Sequence, residues 1–277
     1  MKNYFFTDLS LEKRGYQSDS TEKITENIHL FRNFPNHSSS DKENYVMFFT
    51  PKIWEINAHD FSILERKIAD ELRRMMHRLI SPEGSRHISV LVVGLGNQEI
   101  TSDAIGPETV RHLTVTRHLP IRSMSSCRVS AIAPGVLGST GMETVEVILG
   151  VVQRTAPDLV IAIDALAARS LERLAAAIQI SDGGILPGSG IGNMRKALSR
   201  DTLGIPVIAI GVPTVVNSAT LVAETLGQCG IQQINDDLRD KLESGKSCFV
   251  TPKESDLLLK SASLLLAVAI NRACQET

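Results

Sequence analysis

The spacing of apolar residues changes near residue 88. Across residues 59–80, Phe61, Leu64, Ile68, Leu72, Met75 and Leu79 recur every three or four positions. That period lines one side of an amphipathic helix. From Ile88 onward, short apolar runs alternate with stretches of helical period. Ile88–Val93, Leu159–Ile163 and Pro206–Ile210 are continuous and rich in β-branched residues. Such runs predict strands buried on both faces. Cys127–Ala133 and the shorter Ala176–Ile180 read as further strands. Helices are predicted over Pro107–Leu119, Gly141–Arg154, Asn193–Arg200, Asn217–Leu226 and Pro252–Cys274. Pro107 and Pro252 suit a first helical turn, and Thr251 suits the cap before it.

Strands alternating with helices predict an α/β fold of three layers, a mainly parallel sheet with helices on both faces. The division expected is an irregular N-terminal region over residues 1–57 and an α/β catalytic domain over 58–277. In the first region only Tyr45–Thr50 has a regular pattern, and 33–44 is loop-like.

Composition narrows the picture modestly. Of 277 residues, 43% are hydrophobic and 22% charged, as in a soluble globular protein. The formal net charge is -2, so no global basic field favours nucleic acid. The first residues lack the apolar core of a signal peptide. The most apolar stretch, Leu257–Ile270, is interrupted by Lys260 and Ser261 and falls short of the roughly 18 apolar residues of a membrane span. Cys127, Cys229, Cys248 and Cys274 are widely separated, which fits reduced thiols in a cytoplasmic compartment rather than a disulfide framework or zinc site.

In an open parallel sheet, ligands gather outside the carboxyl ends of the strands, and four unusual stretches are expected there. The first runs from Gly94 through Gly96 to Asp103 and Pro107; Glu99 stands where a dinucleotide fingerprint needs its third glycine. Asp103 is either a helix cap or a functional acid. The second, residues 133–141, contains Gly135, Gly138 and Thr140, whose backbone donors could bind an extended peptide. The third holds Asp164 after five apolar residues, where a carboxylate is partly desolvated and Arg169 is a candidate partner. The fourth, residues 181–193, is rich in glycine, includes Gly188 and Gly190, and begins beside a third acid, Asp182. Gly211–Thr214 is expected to turn out of the next strand and line the same crevice. All seven histidines lie at or before His118. A Ser–His or Cys–His triad would have to recruit one from a helix, whereas the strand ends supply carboxylates.

The segments GLGN, TSDAIGPETV, SAIAPGVLGSTGMET, PDLVIAIDALAARS, IQISDGGILPGSGIGNMRKALS, GIPVIAIGVPTVV and VTPKESD resemble the germination proteases of spore-forming bacteria. The likeness spans roughly Val90–Asp256. It implies a phosphorylase/hydrolase-like arrangement of the three layers. It also implies an endopeptidase that degrades small acid-soluble spore proteins in the spore core, made as a zymogen and assembled as a homotetramer. Asp103 and Asp164 match the family's proposed active-site pair, with no cofactor, no metal, no membrane and no direct nucleic-acid partner. Fainter similarity extends to hydrogenase-maturation proteases, which add a nickel-holding histidine further along; no histidine follows His118 here. Near the N-terminus, Thr7-Asp8-Leu9-Ser10-Leu11-Glu12 resembles the family's processing segment, so cleavage is expected between Asp8 and Leu9 in a loosely held terminus. Two other readings stay open: a metal-linked maturation protease, and a non-catalytic peptide-binding protein on the same fold.

Overall fold

The computed structural model describes residues 7–10, 12, 21–34, 43–80, 87–120, 127–186, 196–231, 237, 240–242 and 248–275. The strands are β1 (Thr21–Lys23), β2 (His29–Asn33), β3 (Tyr45–Phe49), β4 (Ile88–Gly94), β5 (Cys127–Ile132), β6 (Leu159–Ala168), β7 (Ala177–Ser181), β8 (Val207–Asn217) and β9 (Phe249–Val250). The helices are α1 (Ala58–Leu79), α2 (Ile105–Arg111), α3 (Leu137–Thr140), α4 (Thr144–Thr155), α5 (Arg200–Leu203), α6 (Ser218–Gln228) and α7 (Ser255–Gln275). One sheet joins the strands in the order β1-β2-β3-β7-β8-β6-β4-β5, with β9 on the end of β8.

The sheet is mixed. β8, β6, β4 and β5 are parallel, whereas β1, β2, β3 and β7 pair antiparallel. The parallel half has the three-layer α/β character that the apolar runs predict. The antiparallel half departs from the irregular N-terminal region expected over 1–57, and the sheet continues across the boundary placed at residue 57. Tyr45–Phe48 are fully buried because β3 pairs with β7 inside the sheet.

Helices cover both faces. On one, α1 and α7 close over Val90, Val92, Ile161, Ile163, Ile208 and Ile210. The stripe Leu64, Ile68, Leu72 and Met75 is completely buried, each side chain contributing roughly 1.5–3 kcal/mol. Asn57 starts α1 by accepting the Asp60 N–H at 2.9 Å. Helix α7 is long and apolar enough to cross a membrane, but over half of its most apolar window is buried against the core. On the other face, Val145, Ile148 and Val152 of α4 pack on Leu91, Val93, Val160 and Ala162.

Two predicted elements move for local reasons. Helix α2 ends at Arg111, well before Leu119, because residues 116 and 117 turn to pair with Val129 of β5. The stretch Gly211–Thr214 is no turn: β8 runs on to Asn217, with Pro213 tolerated beside a bulge opposite Leu166 and Ala167.

Candidate active site

Strands β4 and β6 lie side by side, with Gly94 opposite Ile163. Beyond Gly94 the chain leaves the sheet, and the Leu95 N–H donates to the Ile163 carbonyl at 2.8 Å. Gly96 has φ +110°, a left-handed conformation that favours glycine, and a side chain there would lie 3.1 Å from Asp103 Oδ1. The Asn97 N–H donates to Asp103 Oδ2 at 2.7 Å. A single 3-10 turn, Thr101–Asp103, then leads into α2.

Helix α2 is drawn tightly onto the strand ends by glycine. A Cβ on Gly106 would meet the Leu95 nitrogen at 2.5 Å and the Ile163 oxygen at 2.6 Å; one on Gly94 would meet the Pro107 nitrogen at 2.9 Å. These are backbone atoms with no freedom to yield. The turn holding Asp103 is therefore clamped, three residues on, against the residue preceding Asp164. Asp164 is 6% exposed and its Oδ1 accepts the Ala165 N–H at 2.9 Å. Across β6 it stands opposite Gly211, where a side chain would run into Leu166. The 3-10 turn also packs on β6, β8 and α7. Asp103 thus sits in the turn beyond β4, and Asp164 on β6 follows the residue against which that turn's helix packs.

The glycine loop after β5 joins the carboxyl edge of the parallel strands, bringing Gly135, Gly138 and Thr140 there. Its polar groups are partly committed: the Ser139 and Thr140 N–H groups both donate to the Val136 carbonyl at 3.0 Å, and the Thr140 hydroxyl donates to Val136 and Met142. Gly138 is exposed, with open space where a side chain would be. Gly188 and Gly190 lie outside the described residues.

Asp182 does not belong to this edge. β7 runs antiparallel to β8, so its carboxyl end points the other way. There Asp182 accepts the Asn44 N–H at 2.8 Å and Asn44 Nδ2 at 2.6 Å, and pairs with Arg78 at 3.1 Å. Nor is Asp164 the end of its strand. β6 continues to Ala168, which carries Arg169 about 16 Å along the chain from Asp164. Arg169 instead approaches Glu224, Nε to Oε2 3.6 Å.

Residues 7–10 and 12 occupy a place that sequence reasoning missed. β4 stops opposite Ile163, leaving the rest of that edge of β6 open. The N-terminal segment fills it: Asp8 N–H donates to the Ala167 carbonyl, and Ala167 N–H donates to Asp8 Oδ2, both at 2.9 Å. Leu9 is fully buried among Phe31, Tyr45, Met47, Leu166 and Val216. Glu12 accepts the Arg169 N–H at 2.7 Å and pairs with Arg173 at 3.0 Å. The terminus is held rather than loose. The signal that could have found this is Leu9 itself, an apolar residue three positions before Glu12.

The fold is a mixed α/β sheet with helices on both faces, and Asp103 and Asp164 lie beside and on its parallel strands. The germination protease family model matches residues 16–241. A germination protease of Clostridium acetobutylicum is 40% identical over 261 residues, covering 84% of this chain and 79% of the relative. Another, from Caldanaerobacter subterraneus subsp. tengcongensis, is 43% identical over 240 residues, covering 76% and 73%. One from Geobacillus sp. (strain WCH70) is 51% identical over 189 residues, covering 66% and 50%. Among solved structures, the [NiFe] hydrogenase maturation protease HycI from Thermococcus kodakarensis KOD1 is similar at a TM-score of 0.40 and 16% identity, covering 72% of this chain and 98% of that one. The chain belongs to the germination protease family and is a peptidase.

Proposed function

We propose that the chain is an endopeptidase that cuts small acid-soluble spore proteins with Asp103 and Asp164 as an acid–base pair. Two carboxyls close together do not easily both ionise, so one retains a proton while the other acts as base. The base takes a proton from water as the water attacks the peptide carbonyl. The protonated partner then donates to the carbonyl oxygen or the leaving amine. Protons of such a pair titrate jointly, and the roles belong to the pair. The observation that carries this reading is the clamp of Gly106 on Leu95 and Ile163, which ties the Asp103 turn to β6 at the residue before Asp164.

The same reading includes a zymogen, cut between Asp8 and Leu9, and a homotetramer in the cytoplasm of the forespore and spore core. The zymogen is supported by residues 7–10 and 12, which lie on the open edge of β6 only three residues past Asp164. With Leu9 buried, that segment must leave its seat before the Asp8–Leu9 bond can be cut. Incubation with a small acid-soluble spore protein, with and without chelator, tests the proposal. Cleavage that survives exhaustive chelation is the expected outcome. Activity lost together with a stoichiometric metal would favour a metal-linked maturation protease, and folded protein with no cleavage would favour a peptide-binding role.

A further inference from the structure

We propose that the outer edge of β5 is a second substrate-binding site, on which an extended acidic stretch of the protein substrate adds as a further strand. This inference rests on the endopeptidase reading for the identity of its occupant as substrate. β5 ends the sheet order, so one of its edges has no strand beside it. Part of that edge is already closed. The Val129 carbonyl accepts the Thr116 and Arg117 N–H groups at 2.9 and 3.0 Å, and Thr116 Oγ1 accepts the Val129 N–H at 2.9 Å. Backbone groups alternate along a strand, so Ala131 faces the same way as Val129. Among the described residues, nothing pairs with its outward N–H and C=O. Two residues further on, the chain enters the glycine loop at the active-site edge.

A shallow cavity of about 390 Å³ flanks this stretch. Arg117, His118 and Arg128 line it together with Ser130 and the apolar Val115, Val129 and Ala131, with no carboxylate among the lining residues. Arg128 is bent over the edge so that its Nη2 donates to the Arg117 carbonyl at 3.1 Å. Its Nε is buried with no partner among the described residues. Free backbone groups beside alternating apolar and basic side chains suit strand addition: the main chain supplies affinity and the side chains specificity. The cationic groups select acidic side chains in a protein whose net charge is -2. A polypeptide is favoured over a nucleic acid because Val115, Val129 and Ala131 add apolar lining and the backbone edge at Ala131 matches another backbone.

The test uses the full chain and two readouts. A labelled 12-residue peptide of alternating Glu and Val should bind by fluorescence anisotropy, and its Gln counterpart should bind at least about tenfold more weakly, in keeping with a few exposed ion pairs. Arg117→Glu together with His118→Glu, both exposed positions, should weaken the Glu peptide by a similar factor. The same double variant should raise KM for an acidic protein substrate with kcat unchanged, and leave a short neutral peptide unaffected. Arg128→Gln should show the same direction, and unaltered thermal unfolding would confirm that folding is intact. Equal binding of the Glu and Gln peptides, unchanged KM in the double variant, or equally tight binding of single-stranded DNA would each overturn the proposal. Because the anisotropy readout does not require turnover, a chain that binds the peptide but cleaves nothing would sink the endopeptidase reading and leave the groove standing.

Discussion

The two halves of the sheet use their carboxylates differently. In the antiparallel half and the elements packed on it, acids are matched to arginines. Glu71, with its side chain 1% exposed, accepts from Arg32 at 2.7 Å and from Arg74 at 2.8 Å. Asp182 pairs with Arg78, and Glu12 with Arg173. In the parallel half, Asp103 and Asp164 are placed by backbone, through the N–H groups of Asn97 and Ala165 and the close glycine contacts around them. An acid bridged to a guanidinium ties two elements together as a strut. The backbone beside Asp103 and Asp164 fixes the geometry of their carboxyl groups. The contrast separates architecture from chemistry within one continuous sheet.

The largest effect expected tests that separation directly. Asp103→Asn or Asp164→Asn should lower kcat by about a thousandfold or more, the scale of general acid–base catalysis. Thermal unfolding should move little, because the amide keeps the size and one acceptor. A variant with near wild-type turnover would remove that residue from the mechanism.

Next in size is the clamp. Gly106→Ala puts a methyl against the Leu95 nitrogen and Ile163 oxygen, neither of which can move without distorting the sheet. Overpacking of this kind costs about 1–3 kcal/mol. Shifting the Asp103 turn by even an ångström should lower kcat about a hundredfold. Loss of stability without loss of kcat would show that the clamp does not set the pair's geometry.

A substitution in the other half should do the reverse. Glu71→Ala leaves the partly buried Arg32 with fewer partners and should cost about 3 kcal/mol, measured by urea unfolding. At 25 °C the folded fraction should keep normal kcat. A fall in kcat would mean the two halves are coupled more closely than their separate polar networks suggest.

How much of this was legible in the sequence follows the same divide. β4, β6 and β8 declare themselves as unbroken apolar runs because parallel strands are covered on both faces. Asp103 and Asp164 drew attention because they follow such runs. β1 and β2 are short, and their polar residues face out, so local pattern does not distinguish them from loop. The direction of β7 was not readable: with strands at Leu159–Ile163 and Ala176–Ile180, residues 164–175 leave the dozen or so of a parallel crossover, and only the extension of β6 to Ala168 shortens the gap. Reading β7 as parallel is what sent Asp182 to the wrong edge. The meeting of Gly94 with Gly106, and of Leu9 with β6, depends on contacts between distant positions that no local period records.

The N-terminal segment offers a smaller effect. Glu12→Gln keeps a hydrogen-bond acceptor for the Arg169 N–H but removes the charge that Arg173 meets. Hydrogen exchange at the Asp8 and Ala167 amides should speed up by about tenfold, equivalent to roughly 1.4 kcal/mol of local opening. Unfolding of the rest of the chain should be unchanged. Equal protection in the variant would show that the buried Leu9 alone holds the segment.

The smallest effect concerns Glu224 on α6, at the border between the two halves. Burial raises its pKa above the usual carboxylate value; Arg169 opposes this and the neighbouring Glu12 adds to it. Its Oε2 is buried without a hydrogen bond, and Arg169 Nε stands 3.6 Å away, too far to compensate fully. A carboxyl with a raised folded-state pKa favours folding while protonated. Its contribution is present below the unfolded-state value of about 4.3 and is lost as pH rises through the folded-state value. Wild type should therefore lose stability relative to Glu224→Gln as pH is raised from 4 toward neutrality, with the difference levelling once Glu224 is fully ionised. Urea midpoints of both proteins across that range measure it. A difference that instead grows in favour of wild type would mean that Arg169 outweighs burial, and Glu224 would then join the arginine-matched struts of the antiparallel half.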